Sequence, residues 1–241
     1  MTRFPNSLPP QSRSTGGFTL VELLVALAIV GTLLLAVTQL AGAVLNYSRH
    51  ADARNRAAGD LSDALGYVSL NAQRAMNVLA TGSIDITPNT GPSFTCALPT
   101  CLAITVPVVD RNDGSITNYQ HWAYRWTTLD VLGNPALPEG WSGPNTPVLI
   151  EIRSGDLLAP GDDPYDGPPP LADFSEGSGN VPSLVIADLT RDDGGASFDP
   201  FAVDATGRLV TMQARHRGSG LLDDMFVPDD GPLTITVNRR P

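Results

Sequence analysis

The chain has 241 residues, 42% of them hydrophobic, and a formal net charge of −10 at pH 7. It contains 23 Gly and 21 Pro, so many turns are expected and a single all-helical body is excluded. All 15 basic residues are Arg, which excludes a Walker A phosphate site and Schiff-base chemistry because both require Lys. The acidic balance disfavours broad contact with nucleic acid, and no nucleic-acid partner is expected.

Residues 18–45 form an apolar stretch whose only charge is Glu22. A helix of this length measures about 42 Å, which is enough to cross a bilayer. Arg3 and Arg13 precede it, and residues 1–17 contain no acid. Because positive flanking residues stay in the cytoplasm, the part of the chain after the span is expected to lie outside the cytoplasm.

The small residues Gly16 and Gly17 come before the apolar stretch, whereas a secretory signal has its small-residue cleavage site after it. A cut after Gly17 therefore leaves the whole hydrophobic helix on the mature chain, with Glu22 as its fifth residue. A carboxylate in an apolar span usually has a partner. The new amine at Phe18 of a neighbouring subunit is one candidate, and the alternative is a Glu that reaches the lipid headgroups.

Residues 17–27, GFTLVELLVAL, resemble the N-terminus of type IV pilins and type II secretion pseudopilins. The resemblance implies cleavage between Gly17 and Phe18 by a prepilin peptidase, N-methylation of Phe18, and a role for Glu22 in assembly with other pilins. The resemblance also implies that the chain resides in the bacterial inner membrane before it enters a pilus or pseudopilus. Gly31 matches a helix-loosening Gly of such pilins, but Gln39 stands where a Pro often follows.

The apolar pattern after residue 45 changes to a spacing of three and four, which is typical of one helix face. Its members are Leu61, Leu65, Val68, Ala72, Ala75 or Met76, and Leu79. This spacing predicts one long helix over about 18–79, or two helices with a bend near Gly59 or Gly66. The expected divisions are a leader (1–17), a transmembrane and assembly helix (18–45), a soluble half of the helix (46–80) and a globular head (81–241).

The head is expected to be β-rich, with mainly antiparallel neighbours because its connections show no helical pattern. Predicted strands cover residues 102–109, 115–128, 147–153, 184–189 and 233–238, with a hairpin over 201–215 and loops at 155–179 and 219–232. The predicted fold class is α+β, a long N-terminal helix packed on a mainly antiparallel β head. This size and layout resemble minor pilins of the PilW type and pseudopilins of the GspJ type.

Aromatic residues alternate along one predicted strand, and Trp122, Tyr124 and Trp126 therefore share one side of it. Packing against the long helix is favoured over a binding face. His121 directly precedes Trp122 and has no second His at ligand spacing, so it is expected to be a core or strand-surface residue and not a metal ligand.

Two further groups of residues could stabilise the head. Cys96 and Cys101 predict a small-loop disulfide if the head is exported, and two free thiols are the alternative. Asp192 and Asp193 precede two glycines, and because some pseudopilin heads bind calcium, the resemblance leaves calcium open there. Solvated acidic loops are the favoured interpretation, and no cofactor is expected.

No catalytic constellation accompanies these features, so a structural subunit is favoured over an enzyme. The alternative function is a binding module at a pilus tip, for DNA uptake or adhesion, which needs a cationic or aromatic patch in the head. The sequence leaves open whether the subunit serves a pilus, a competence pseudopilus or type II secretion.

Overall fold

The computed structural model describes residues 19–89, 92–129, 145–155, 157–159, 168–171, 174, 180–191, 197–217 and 226–239. Within these residues the chain forms one α-helix, α1 (Leu20–Arg74), followed by twelve strands. The strands are β1 (Asn77–Val78), β2 (Ile84–Ile86), β3 (Phe94–Cys96), β4 (Cys101–Val109), β5 (Ile116–Thr128), β6 (Pro147–Arg153), β7 (Val181–Ile186), β8 (Leu189–Thr190), β9 (Phe201–Val203), β10 (Leu209–Arg217), β11 (Phe226–Val227) and β12 (Leu233–Asn238). The predicted α+β class is confirmed.

The chain divides into two compact units, Met1–His50 and Ala51–Pro241. In the first unit, the described residues from Leu20 onward are helical and their side chains are exposed. In the second unit, residues 51–74 of α1 bury one face, made of Ala57, Leu61, Ala64, Leu65, Val68, Asn71 and Ala72. This is the face that the spacing of three and four predicts.

The helix is continuous through Gly59 and Gly66, so the single-helix prediction is confirmed over the bent alternative. Its end is at Arg74, and the prediction of about residue 79 was wrong. The Met76 amide donates a hydrogen bond to the Thr105 carbonyl over 2.8 Å, and β1 then pairs with β4. The apolar spacing continues past Arg74 because the same core is lined first by helix and then by strand.

The first sheet has the strand order β1-β4-β5-β6-β7, and every pairing in it is antiparallel. One of its faces shares a hydrophobic core with α1 and with the second sheet described below. The other face forms a separate core with residues of β2 and β3 and with Leu171 and Phe174. Because both faces are covered, β4 and β6 are apolar along nearly their whole length instead of alternating.

Aromatic residues of β5 face the core that contains α1. Tyr124 is fully buried there, and Trp122 and Trp126 are partly buried against the same cluster. Tyr67 of α1 stacks on Trp122 and meets Tyr124 edge-on, with ring centroids 6.5 Å apart in both pairs. The predicted packing of this aromatic stripe against the long helix is confirmed.

The second sheet is built around β10, which pairs antiparallel with β12, β11, β9 and β8. The predicted hairpin over 201–215 is confirmed, with β9 and β10 as its strands. Asp204 closes its turn by accepting hydrogen bonds from the amides of Arg208 and Leu209 on one carboxylate oxygen. Gly207 has a φ of 67°, a left-handed conformation that glycine adopts without strain.

Two other predicted segments differ in the structure. The prediction of a single strand over 184–189 was wrong. Asp188 adopts a φ of 54°, and the segment is divided there into β7 and β8. Asp tolerates this conformation better than most residues, and the break redirects the chain from the first sheet to the second. The predicted loop over 219–232 contains β11, and most of the predicted loop over 155–179 lies outside the described residues.

Candidate functional site

The start of α1 is held by a reciprocal capping interaction between Thr19 and Glu22. The Thr19 amide and hydroxyl donate to Glu22 Oε2 over 2.9 and 3.0 Å, and the Glu22 amide donates to Thr19 Oγ1 over 3.2 Å. These bonds satisfy helix donors that otherwise lack a partner. Sequence reasoning singled out Glu22 but missed Thr19, although a Thr three residues before a Glu at the start of an apolar run is the pattern of a capping box.

After this cap, α1 presents an apolar surface that the described chain leaves uncovered. The large side chains from Leu20 to Leu45 are between 51% and 76% exposed. Among the described residues, α1 is the one helix long and apolar enough to cross a membrane. Its first half therefore needs lipid or other apolar helices around it.

Two hydroxyl groups within this apolar surface are satisfied by the helix itself. The hydroxyls of Thr32 and Thr38 donate to the carbonyls of Ile29 and Leu35, each over 2.9 Å. The helix is unbroken through Gly31 and Gln39. A Cβ placed on Gly31 or Gly42 would meet no atom within 4 Å, so both glycines leave open surface where another helix can approach closely.

The remaining predicted site residues are distributed over the chain. Gly17 and Phe18 lie outside the described residues, as do Asp192 and Asp193, the pair considered for calcium. Within the described ranges, no group of three or more His, Cys, Asp or Glu is placed to hold a metal ion. Cys96 and Cys101 form a disulfide that joins the end of β3 to the start of β4.

His121 is fully buried on the face of β5 opposite the aromatic stripe. Its Nδ1 lies 2.9 Å from the Thr105 hydroxyl, and its ring is 5.6 Å from that of Phe174. The prediction of a core histidine is confirmed.

A second buried polar group was missed by sequence reasoning: Glu151 of β6 is 1% exposed and pairs with Arg153. Its burial could have been predicted, because Glu151 is a lone acid inside an apolar strand.

Residues 12–38 match the family described as the prokaryotic N-terminal methylation motif. No curated protein and no solved structure matches the chain significantly. The family match contains Gly17, Phe18, Thr19 and Glu22 and ends within α1, so it does not extend to the head. It supports a prepilin-type protein that is anchored in a membrane by its N-terminal helix, and a role like that of a type IV pilin or pseudopilin.

Proposed function

We propose that the chain is a structural minor pilin or pseudopilin, without enzymatic activity, of the PilW or GspJ type. A prepilin peptidase cuts it between Gly17 and Phe18, Phe18 is N-methylated, and the mature chain joins a tip or priming complex of a pilus or pseudopilus. The observation that carries this proposal is the methylation motif over residues 12–38 at the start of a long, uncovered apolar helix.

The arrangement of charges at the helix start explains how Glu22 would act. Glu22 is the only charged residue in the apolar stretch over 18–45. In the single chain its Oε2 is occupied by donors of Thr19. After cleavage, the amine of Phe18 on a neighbouring subunit supplies a cation for the same carboxylate, and a charged pair between apolar helices is a strong determinant of register.

The uncovered helix surface supplies the cohesion of the assembly. In the inner membrane it is covered by lipid, and in a filament by the equivalent helices of other subunits. The head leaves the cytoplasm with residues 46–241, because Arg3 and Arg13 remain on the cytoplasmic side. This orientation places the disulfide between Cys96 and Cys101 in an oxidising compartment, where disulfides persist.

Substitution of Glu22 separates processing from assembly. The variant Glu22→Leu is expected to be cleaved normally and to be strongly depleted from crosslinked complexes with neighbouring pilins. Gln39→Leu is the matched control, because it also replaces a polar residue of the apolar stretch with Leu but removes no charge. The measurement is formaldehyde crosslinking in the host cell, followed by immunoblotting for this chain. Equal incorporation of Glu22→Leu and Gln39→Leu would refute the role of Glu22.

A further inference from the structure

A groove of about 600 Å³ lies between α1 and the end of the first sheet. Asp60, Asp63 and Tyr67 line it from the helix, and Glu151 and Arg153 line it from β6. Residues 183–187, at the end of β7 and just beyond it, form the far wall. All of these residues belong to the unit Ala51–Pro241. We call this feature the acidic groove.

The acidic groove carries more negative than positive charge. Asp60 and Asp63 are both exposed, and together with Tyr67 they form one stripe along the helix because they are three and four residues apart. Among the described residues that line the groove, the only cation is Arg153, which pairs with Glu151 over 2.5 Å and lies over the Trp122 ring. Two carboxylates are therefore left without a compensating charge among the residues that line the groove.

Glu151 is a buried carboxylate that lines the acidic groove. Its Oε1 accepts a hydrogen bond from Arg153 Nε. Its Oε2 is buried and makes no hydrogen bond of normal geometry to the described residues, and the hydroxyls of Tyr67 and Tyr124 lie close enough to interact with the carboxylate. Buried carboxylate oxygens normally have a donor. Burial and the nearby Glu151 carboxylate raise the pKa of the Tyr67 phenol, so this hydroxyl stays protonated beside the carboxylate.

The wall opposite the helix is the last strand of the first sheet. β7 pairs with β6 on one side, and within the described residues no strand pairs with its other side. Edge strands of this kind accept an extended segment from another chain. Ser183 of β7 is exposed and stands opposite Glu151 in the register, so side chains at these two positions are neighbours.

We propose that the acidic groove binds an extended, basic segment of a partner protein, with an arginine side chain inserted between Tyr67 and Ser183 toward Glu151. Charge complementarity identifies the occupant, because Asp60 and Asp63 attract a cation and Glu151 Oε2 makes no hydrogen bond of normal geometry to the described residues. A guanidinium group carries five N–H donors in a planar arrangement that suits carboxylates. This site belongs to the unit Ala51–Pro241, and its occupancy does not depend on cleavage at Gly17 or on Glu22.

The test uses the full chain in detergent and two short labelled peptides. In one peptide arginine alternates with threonine, and in the other glutamate replaces each arginine. Fluorescence anisotropy measures Kd for the parent chain, Asp60→Asn/Asp63→Asn, Ser183→Arg and two controls. Asp52→Asn removes an exposed acid of the same helix outside the groove, and Ser183→Gln adds a long side chain without charge. Circular dichroism verifies that each variant is folded.

The arginine peptide is expected to bind the parent chain, and the glutamate peptide is not. Asp60→Asn/Asp63→Asn is expected to raise Kd about fivefold, whereas Asp52→Asn leaves it unchanged within about twofold. Ser183→Arg fills the groove with its own guanidinium and is expected to raise Kd more than about tenfold, well beyond Ser183→Gln. The proposal is overturned if the arginine peptide does not bind at millimolar concentration, or if Asp52→Asn weakens it as much as the groove variants do. Because crosslinking through the N-terminal helix is measured separately, either result leaves the test of Glu22 intact.

Discussion

Replacement of Leu61 by Ala is expected to destabilise the head, because the second half of α1 forms part of the head's core. Leu61 is 1% exposed and belongs to the cluster that α1 shares with both sheets. Removal of a buried Leu side chain costs its transfer free energy and leaves a cavity between rigid strands, so we expect a loss of about 3 kcal/mol in the free energy of unfolding. For a unit of this size, such a loss lowers Tm by about 6 to 12 °C.

The matched control is Leu70→Ala on the same helix. Leu70 is 54% exposed, so its replacement is expected to change the free energy of unfolding by less than about 0.5 kcal/mol. Thermal unfolding of the full chain in detergent, followed by near-ultraviolet circular dichroism, compares the two variants with the parent. Equal effects at Leu61 and Leu70, or a Tm that is unchanged in Leu61→Ala, would show that α1 does not contribute to the core of the head.

Three further predictions concern the head. Cys96→Ala/Cys101→Ala should still fold and should lose about 2 kcal/mol of stability in denaturant titration, because the disulfide restricts a short loop in the unfolded chain. Tyr124→Phe should lose about 1 to 3 kcal/mol in the same assay, since the buried Asn71 amide loses the hydroxyl to which it donates over 2.9 Å. Burial lowers the pKa of His216 in the folded chain below its ordinary 6.5. The unfolded chain therefore binds a proton first, so this contribution to stability is complete above about pH 6.5 and is lost as the pH falls below it. His216→Gln should weaken that pH dependence in thermal melts, and an unchanged dependence would refute the assignment.

Much of the fold could be predicted from the sequence because the relevant patterns are local. The apolar run and the spacing of three and four define α1, and β6 and β12 lie at the predicted residues. The end of α1 could not be read, because Ala75 and Val78 continue the apolar pattern although the chain has already left the helix. The pairing of β1 with β4 determines where the helix ends, and no local sequence pattern predicts this pairing.

The arrangement of the second sheet depends on contacts between distant residues. β8, β9, β11 and β12 all pair with β10, and strands as short as Leu189–Thr190 or Phe226–Val227 have no alternation to detect. The acidic groove could not be predicted from the sequence for the same reason. Its helix acids and Glu151 are far apart in sequence, and only the placement of α1 beside β6 and β7 brings them together.

The candidate assembly site was more accessible to sequence reasoning than the groove was. Gly17, Phe18 and Glu22 stand within a few residues of one another, and their order at the start of the apolar stretch defines the motif that the family match covers. The structure adds Thr19, whose hydroxyl and amide position the Glu22 carboxylate at the first turn of α1. Thr19 could have been predicted from the sequence, because a Thr three residues before a Glu at the start of an apolar run is the pattern of a capping box.

The mass of the mature N-terminus tests the central claim most directly. The chain is purified from membranes of cells that contain a prepilin peptidase, and its N-terminal fragment is sequenced by tandem mass spectrometry. We predict a fragment that begins at Phe18 and carries one additional methyl group on its α-amine, and we predict that Gly17→Glu retains residues 1–17. A parent chain that begins at Met1, or one that is cut after the apolar stretch as a secretory signal would be, would contradict the account.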